Sequence, residues 1–179
     1  MSGFLIDTNV LSEYNRPEGP DAGVKRWLET TEGNAQYVSI ITLAEIQKGI
    51  ELLVEGKRRA QLEQWLTQDL EAWFSGRVLP VDRQVAMRWA SLVAQGSRTG
   101  RPLPTVDSLI AATALAHGLT IVTRNTKDFE GIGAMTLNPL ESGMKNESRV
   151  LRQFSDGFSA WSITSISTGI RCDFSVNPN

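Results

Sequence analysis

The sequence predicts an α/β fold: a central, mostly parallel sheet of four to five strands with helices on both faces. Three observations carry this. Short apolar runs rich in β-formers alternate with longer stretches of helical spacing, and that alternation favours a parallel sheet. The first run, Phe4-Leu5-Ile6, is apolar at every position, as a strand buried on both faces is. The chain has 179 residues, 41% hydrophobic and 21% charged, enough for one domain with a proper core.

The first strand ends at Asp7, and Val10, Leu11 and Tyr14 then recur at helical spacing. Arg16-Pro17-Glu18-Gly19-Pro20 is a turn-rich break. A helix follows from Asp21, with Val24, Trp27 and Leu28 on one face. Gln36 to Ile41 reads as the second strand. Thr42-x-x-Glu45 matches a capping box, which starts the next helix, and Leu43, Ile46, Ile50 and Leu53 carry it to about Glu55. The pattern breaks at Gly56-Lys57-Arg58-Arg59. Leu62, Trp65, Leu66, Leu70 and Phe74 mark a further amphipathic helix.

Val78 to Val81 is the third strand, with Pro80 at its end. Asp82 caps a helix carrying Val85, Trp89, Leu92 and Val93. Gly96 to Pro104 reads as a polar loop. Thr105 begins a helix that is small or apolar almost all round, which predicts burial, and Gly118 stops it. Leu119 to Thr123 is the fourth strand, and Met135-Thr136-Leu137 a short fifth. Residues 142–179 are serine-rich, lack a sustained pattern and read as a poorly ordered tail after a domain spanning residues 1–141.

Composition narrows the chemistry. The formal net charge of −2 supplies no global basic field to steer nucleic acid, which leaves room for a local basic rim. A single cysteine, Cys172, rules out an intramolecular disulfide and a zinc ribbon. A single histidine, His117, rules out a two-histidine acid–base mechanism and a His-rich metal site. Any metal chemistry must therefore draw its ligands from carboxylates. No apolar run approaches a membrane helix, and no secretory leader is evident, so a cytoplasmic location is expected.

Three carboxylates stand at comparable places. Asp7 follows the first strand, Glu45 follows the second, and Asp107 heads the buried helix. Each has an ordinary structural explanation. Asp7 suits an N-cap, Glu45 suits the capping box, and Asp107 suits the helix dipole, an effect worth about 0.3–1 kcal/mol. Jointly they say more, because in a parallel sheet these positions share one edge. Carboxylates crowded there raise one another's pKa unless a cation neutralises them, and hard oxygen ligands suit Mg²⁺ or Mn²⁺. Such a site activates water and stabilises a phosphoryl transition state. Asn125 and Asp128 lie just past the fourth strand, where Asn is also a natural turn residue.

The blocks Asp7-Thr8-Asn9, Ser39-x-x-Thr42-x-x-Glu45, Asp107-x-x-Ile110-Ala111-Ala112 and Thr123 to Phe129, in this order, resemble those of PIN-domain proteins, and more narrowly the VapC-type toxins of bacterial toxin–antitoxin pairs. The resemblance spans roughly residues 1–141, and Asn138-Pro139 suits it. It implies a Mg²⁺-dependent RNA endonuclease, usually a homodimer, held inactive by a small VapB-like antitoxin. Asp7 and Asp107 would be the principal metal ligands. Glu45 would complete the acidic cluster and orient a water or a second ion. The fourth position, often Asp in the family, is Asn125 here, with Asp128 as a possible substitute. Arg16, Arg98, Arg101, Arg124 and Lys127 lie where they could rim the pocket for RNA, and apolar residues of the Thr42–Phe74 helix pair could accept the antitoxin.

Two other readings stay open on the residues. One is a binding module whose catalytic site has decayed, kept alive by Asn125. The other is a phosphatase resembling the haloacid dehalogenases, which would want an Asp where this chain has Asn9.

Overall fold

The computed structural model describes residues 3–141. The tail expected at 142–179 lies outside the described residues. The sheet has five strands, β1 (Gly3–Ile6), β2 (Gln36–Ser39), β3 (Val78–Leu79), β4 (Leu119–Val122) and β5 (Thr136–Leu137), in the order β3-β2-β1-β4-β5. Every neighbouring pair is parallel. Leu5 lies opposite Tyr37 on one side and Ile121 on the other, and Ile6 opposite Val38 and Val122.

Side chains alternate across a strand, so β1 feeds two cores. Ile6 joins Val38 and Val122 on one face, under α1 (Thr8–Leu11), α2 (Ala22–Thr30), α3 (Ile40–Glu51) and α4 (Lys57–Gln64). Leu5 joins Leu119 and Ile121 on the other, under α6 (Arg83–Arg98) and α7 (Thr105–His117). Helices therefore cover both faces, as expected. Between α4 and the short α5 (Glu71–Trp73) the backbone widens into a π-helical stretch, Trp65–Leu70, that buries Leu66 and Leu70.

The chain leaves β1 for β2 on one side, whereas β4 pairs on the other. The strand order reverses at the β1–β4 seam. In open parallel sheets the crevice outside the carboxyl ends of the strands at such a seam is the place for ligands.

Of the boundaries that differ from the sequence reading, three change how helices start or end. β2 stops at Ser39, whose Oγ accepts the Ile41 N–H at 3.2 Å and caps α3. Ile40 and Ile41 are helical, because an apolar pair suits a strand end and a buried helix start equally well. Thr42-x-x-Glu45 is thus no capping box: Thr42 is buried within α3 and Glu45 lies in its second turn. The break before α4 falls at residues 52–56, and Lys57 already belongs to the helix. α6 runs on to Arg98, so Gly96 is helical and not the start of a loop.

Gly96 has a steric reason to be glycine. Its carbonyl accepts the Arg101 N–H at 2.8 Å as the chain folds back over the end of α6. A Cβ on residue 96 would stand 2.6 Å from the Arg101 carbonyl oxygen. That neighbour is backbone and yields little. Gly96→Ala should therefore destabilise the fold by about 1–3 kcal/mol, as overpacking does. Urea denaturation measures the change, and an unaltered midpoint would show that the 96–101 loop relaxes freely.

Candidate acidic active site

Asp7 ends β1 and caps α1, with Oδ1 accepting the Thr8 N–H at 2.7 Å. Its other oxygen belongs to a tertiary network across the seam. Thr123, the residue after β4, donates its hydroxyl to Asp7 Oδ2 at 2.7 Å. Asn9 donates from Nδ2 to the same oxygen at 2.8 Å and to Thr123 Oγ1 at 2.9 Å. The direction at Thr123 is forced: the Asn9 amide and the Asn125 N–H, 3.1 Å away, can only donate to its oxygen. The one hydroxyl proton therefore goes to Asp7. Asn9 Oδ1 in turn accepts the Arg124 N–H at 3.0 Å. Asp7 thus both caps α1 and anchors the hydrogen-bond network across the seam.

Asp107 stands in the first turn of α7 without capping it. That turn is fixed against α6 by Ser108, whose hydroxyl accepts from Trp89 Nε1 at 2.9 Å and donates to the Thr105 carbonyl at 2.9 Å. Ala111, Ala112 and Ala114 are fully buried, so α7 packs closely in the second core. Glu45, half-buried on α3, pairs with Lys48 one turn on. Asp128 lies in the short 3₁₀ turn Thr126–Phe129, where it accepts the side-chain amide of Asn125. Phe129 anchors this turn in the core.

The electrostatics bring these residues together. Burial raises the Asp7 pKa above its ordinary 3.8. The Thr123 and Thr8 hydrogen bonds oppose the rise, and the charges of Glu45 and Asp128 add to it. Asp107 is also raised, by burial first and then by Asp128, Asp7 and Glu45. Asp7 and Asp107 therefore both feel the charges of Glu45 and Asp128. Asn125 brings no charge of its own and donates its side-chain amide to Asp128.

The donor set suits a hard divalent cation: it is all oxygen, without histidine or cysteine. On Asp7, Oδ2 already accepts two hydrogens, whereas Oδ1 accepts one and retains a lone pair. The adjacent Thr8 Oγ1 is buried without a partner among the described residues. No three acidic, histidine or cysteine side chains among the described residues stand close enough to hold an ion by themselves.

The PIN-domain family model matches residues 4–134 of this chain. The chain belongs to the PIN-domain family. Among relatives of this PIN-domain protein, the VapC ribonuclease Y4jK of Sinorhizobium fredii is 38% identical over 138 residues, 77% of this chain and 98% of the relative. The toxin FitB of Neisseria gonorrhoeae is 38% identical over 136 residues, 76% of this chain and 97% of the relative. The crystal structure of FitAcB from the same organism superposes with a TM-score of 0.72 at 38% identity, covering 77% of this chain and 99% of that one. The fold is thus the PIN fold expected from the motif blocks.

The sequence missed two site residues in this PIN domain. Asn9 and Thr123 were quoted within motifs, but their joint grip on Asp7 depends on β1 pairing with β4, which no local pattern reveals. Arg124, one of the basic residues that could rim the pocket, is paired with the buried Glu13. Among the described residues no helix is long and apolar enough to cross a membrane.

The raised carboxylates make the metal-free fold sensitive to pH. Between 3.8 and the raised value the folded chain binds more protons than the unfolded one. These two groups therefore cost stability as pH rises through that window, and the cost persists above it. Asp107→Asn should raise Tm at neutral pH in the presence of a chelator. The advantage over the parent should vanish below the ordinary Asp range. Calorimetric scans across pH test this, and an equal or lower Tm for the variant at pH 7 would contradict the shared field.

Proposed function

We propose that this PIN-domain protein is the toxin of a type II toxin–antitoxin pair, acting as a divalent-cation-dependent RNA endonuclease. The observation that carries the reading is the Asp7 carboxylate clamped by Thr123 and Asn9 across the β1–β4 seam, with Asp7 and Asp107 both in the field of Glu45 and Asp128. Relatives named as a ribonuclease and as a toxin support it. Asp7 and Asp107 would hold the ion, with Mg²⁺ as the physiological species and Mn²⁺ able to replace it. Bound there, such an ion supplies an activated water and neutralises charge developing on the phosphate.

The protein's own groups set the geometry. Thr123, Asn9 and Thr8 fix the Asp7 carboxylate in one orientation. Glu45 accepts from Lys48 and would orient a water or take up its proton. Asn125 turns the Asp128 carboxylate, so the neutral residue at the fourth family position acts through its neighbour. That weakens the decayed-module reading, which rested on Asn125 alone. The phosphatase reading needs an acid at position 9, whereas Asn9 gives both of its amide hydrogens to Asp7 and Thr123. The partners are RNA, in single-stranded or looped form, and a VapB-like antitoxin. The protein is a homodimer in the cytoplasm.

Asp7→Asn keeps a good N-cap residue, so the fold should survive. Cleavage of an RNA oligonucleotide in Mg²⁺ should fall by roughly two to four orders of magnitude, the scale of losing a principal reacting group. Full activity in the purified variant would remove the reading. Thr123→Val retains the shape but not the hydroxyl. Calorimetry should show Mn²⁺ binding weakened about 10–100-fold, as loss of a ligand's hydrogen-bond partner does. Unchanged affinity would mean that Asp7 needs no such clamp.

A further inference from the structure

We propose that Arg124 is a positioning residue for the acidic site, tied to the buried Glu13, and not an RNA contact. The inference deepens the nuclease reading and rests on it. Glu13, in the turn after α1, exposes 1% of its side chain. Its Oε1 accepts the Arg124 guanidinium and Arg16 Nη2, the latter at 2.9 Å. Its Oε2 accepts the Asp21 N–H at 3.2 Å. A buried carboxylate is tolerated only when paired and hydrogen-bonded. Arg124, a third of whose side chain is exposed, is therefore tied to Glu13: reaching for a phosphate would strip Glu13 of one of its two cations.

Arg124 sits in the middle of the site's clamp. The residue before it, Thr123, holds Asp7. The residue after it, Asn125, bonds Thr123 Oγ1 through its N–H and Asp128 through its side chain. Its own N–H binds Asn9. Asp7 and Glu13 are joined by α1. The result is a closed ring, Asp7–Thr123–Arg124–Glu13–α1, that spans the β1–β4 seam. Loosening the Glu13–Arg124 link opens the ring at the point where two site carboxylates take their orientation.

The test uses the full chain, with Arg124→Met, Glu13→Gln and the double variant. Three quantities are read: steady-state cleavage of an RNA oligonucleotide, Mn²⁺ affinity without RNA, and amide exchange by NMR. Each single variant should lower kcat and Mn²⁺ affinity about 10–100-fold, with KM held within about twofold. The double variant should lose no more than Arg124→Met alone, because both act through one link. The Arg124 and Asn125 amides should lose exchange protection while the Ile121 amide in β4 keeps its own. The proposal is overturned if Arg124→Met raises KM and lowers the salt slope of RNA binding by about one while Glu13→Gln is silent, the pattern of a phosphate contact. Losses that multiply in the double variant overturn it as well. Should Arg124→Met not fold, Glu13→Gln decides by exchange. Selective loss at residues 124 and 125 supports the link, and uniform loss across the sheet defeats it. Exchange needs no RNA, so a parent protein that cleaves nothing would sink the nuclease reading while leaving this link testable.

Discussion

A buried carboxylate at the β1–β4 seam is the constraint on which the rest of this molecule depends. Asp7 is only 7% exposed, an environment that disfavours its charge. Three donors offset that cost, and two of them, Asn9 and Thr123, interlock with each other. The charges of Glu45 and Asp128 act against it. The donors fix where the carboxylate points, and the acids fix what it lacks, a positive charge. Neither condition alone would define a site. A well-solvated strand-end Asp would be a cap and nothing more, and an unclamped acid among acids would take its proton and turn away.

The topology supplies this arrangement with little connecting chain. Two strands pass straight into helices, β1 through Asp7 into α1 and β2 through Ser39 into α3, so both helices start at the carboxyl edge. α7 reaches the same region by a different route, after the turn beyond α6, and is fixed there by the Trp89–Ser108 bond. Its small residues Ala111, Ala112 and Ala114 are fully buried in the second core, and Asp107 at its head feels the charge of Asp7. The polar chemistry thus relies on tight apolar packing on both faces of the sheet.

Much of this was legible in the sequence for simple reasons. Phe4-Leu5-Ile6 and Leu119 to Val122 are apolar throughout because both sheet faces are covered, so their type and their ends stand out. Asp82 and Gly118 punctuate their helices as their chemistry requires, one accepting the Val85 N–H at 2.9 Å and the other adopting φ +64°. What failed was local ambiguity. Ile40 and Ile41 serve a strand or a buried helix equally, which moved the α3 cap from Ser39 to Thr42. Gly96 looks like a loop residue until the return of Arg101 over α6 is known. What was invisible was non-local. Thr123 gains its role from β4 lying beside β1, Asp128 from the amide of Asn125, and Arg124 from a glutamate 111 positions earlier. Residue types announce which chemistry is available, and only the strand order says which of them meet.

The account stands on one claim: Asp7 and Asp107 hold a divalent cation in the field of Glu45 and Asp128. Its most direct measurement is anomalous scattering from crystals of this protein soaked in Mn²⁺. The expected result is a peak in contact with carboxylate oxygens of both Asp7 and Asp107, abolished in Asp7→Asn crystals. A peak resting on other acids, or none near Asp7 at saturating Mn²⁺, would contradict the account at its root.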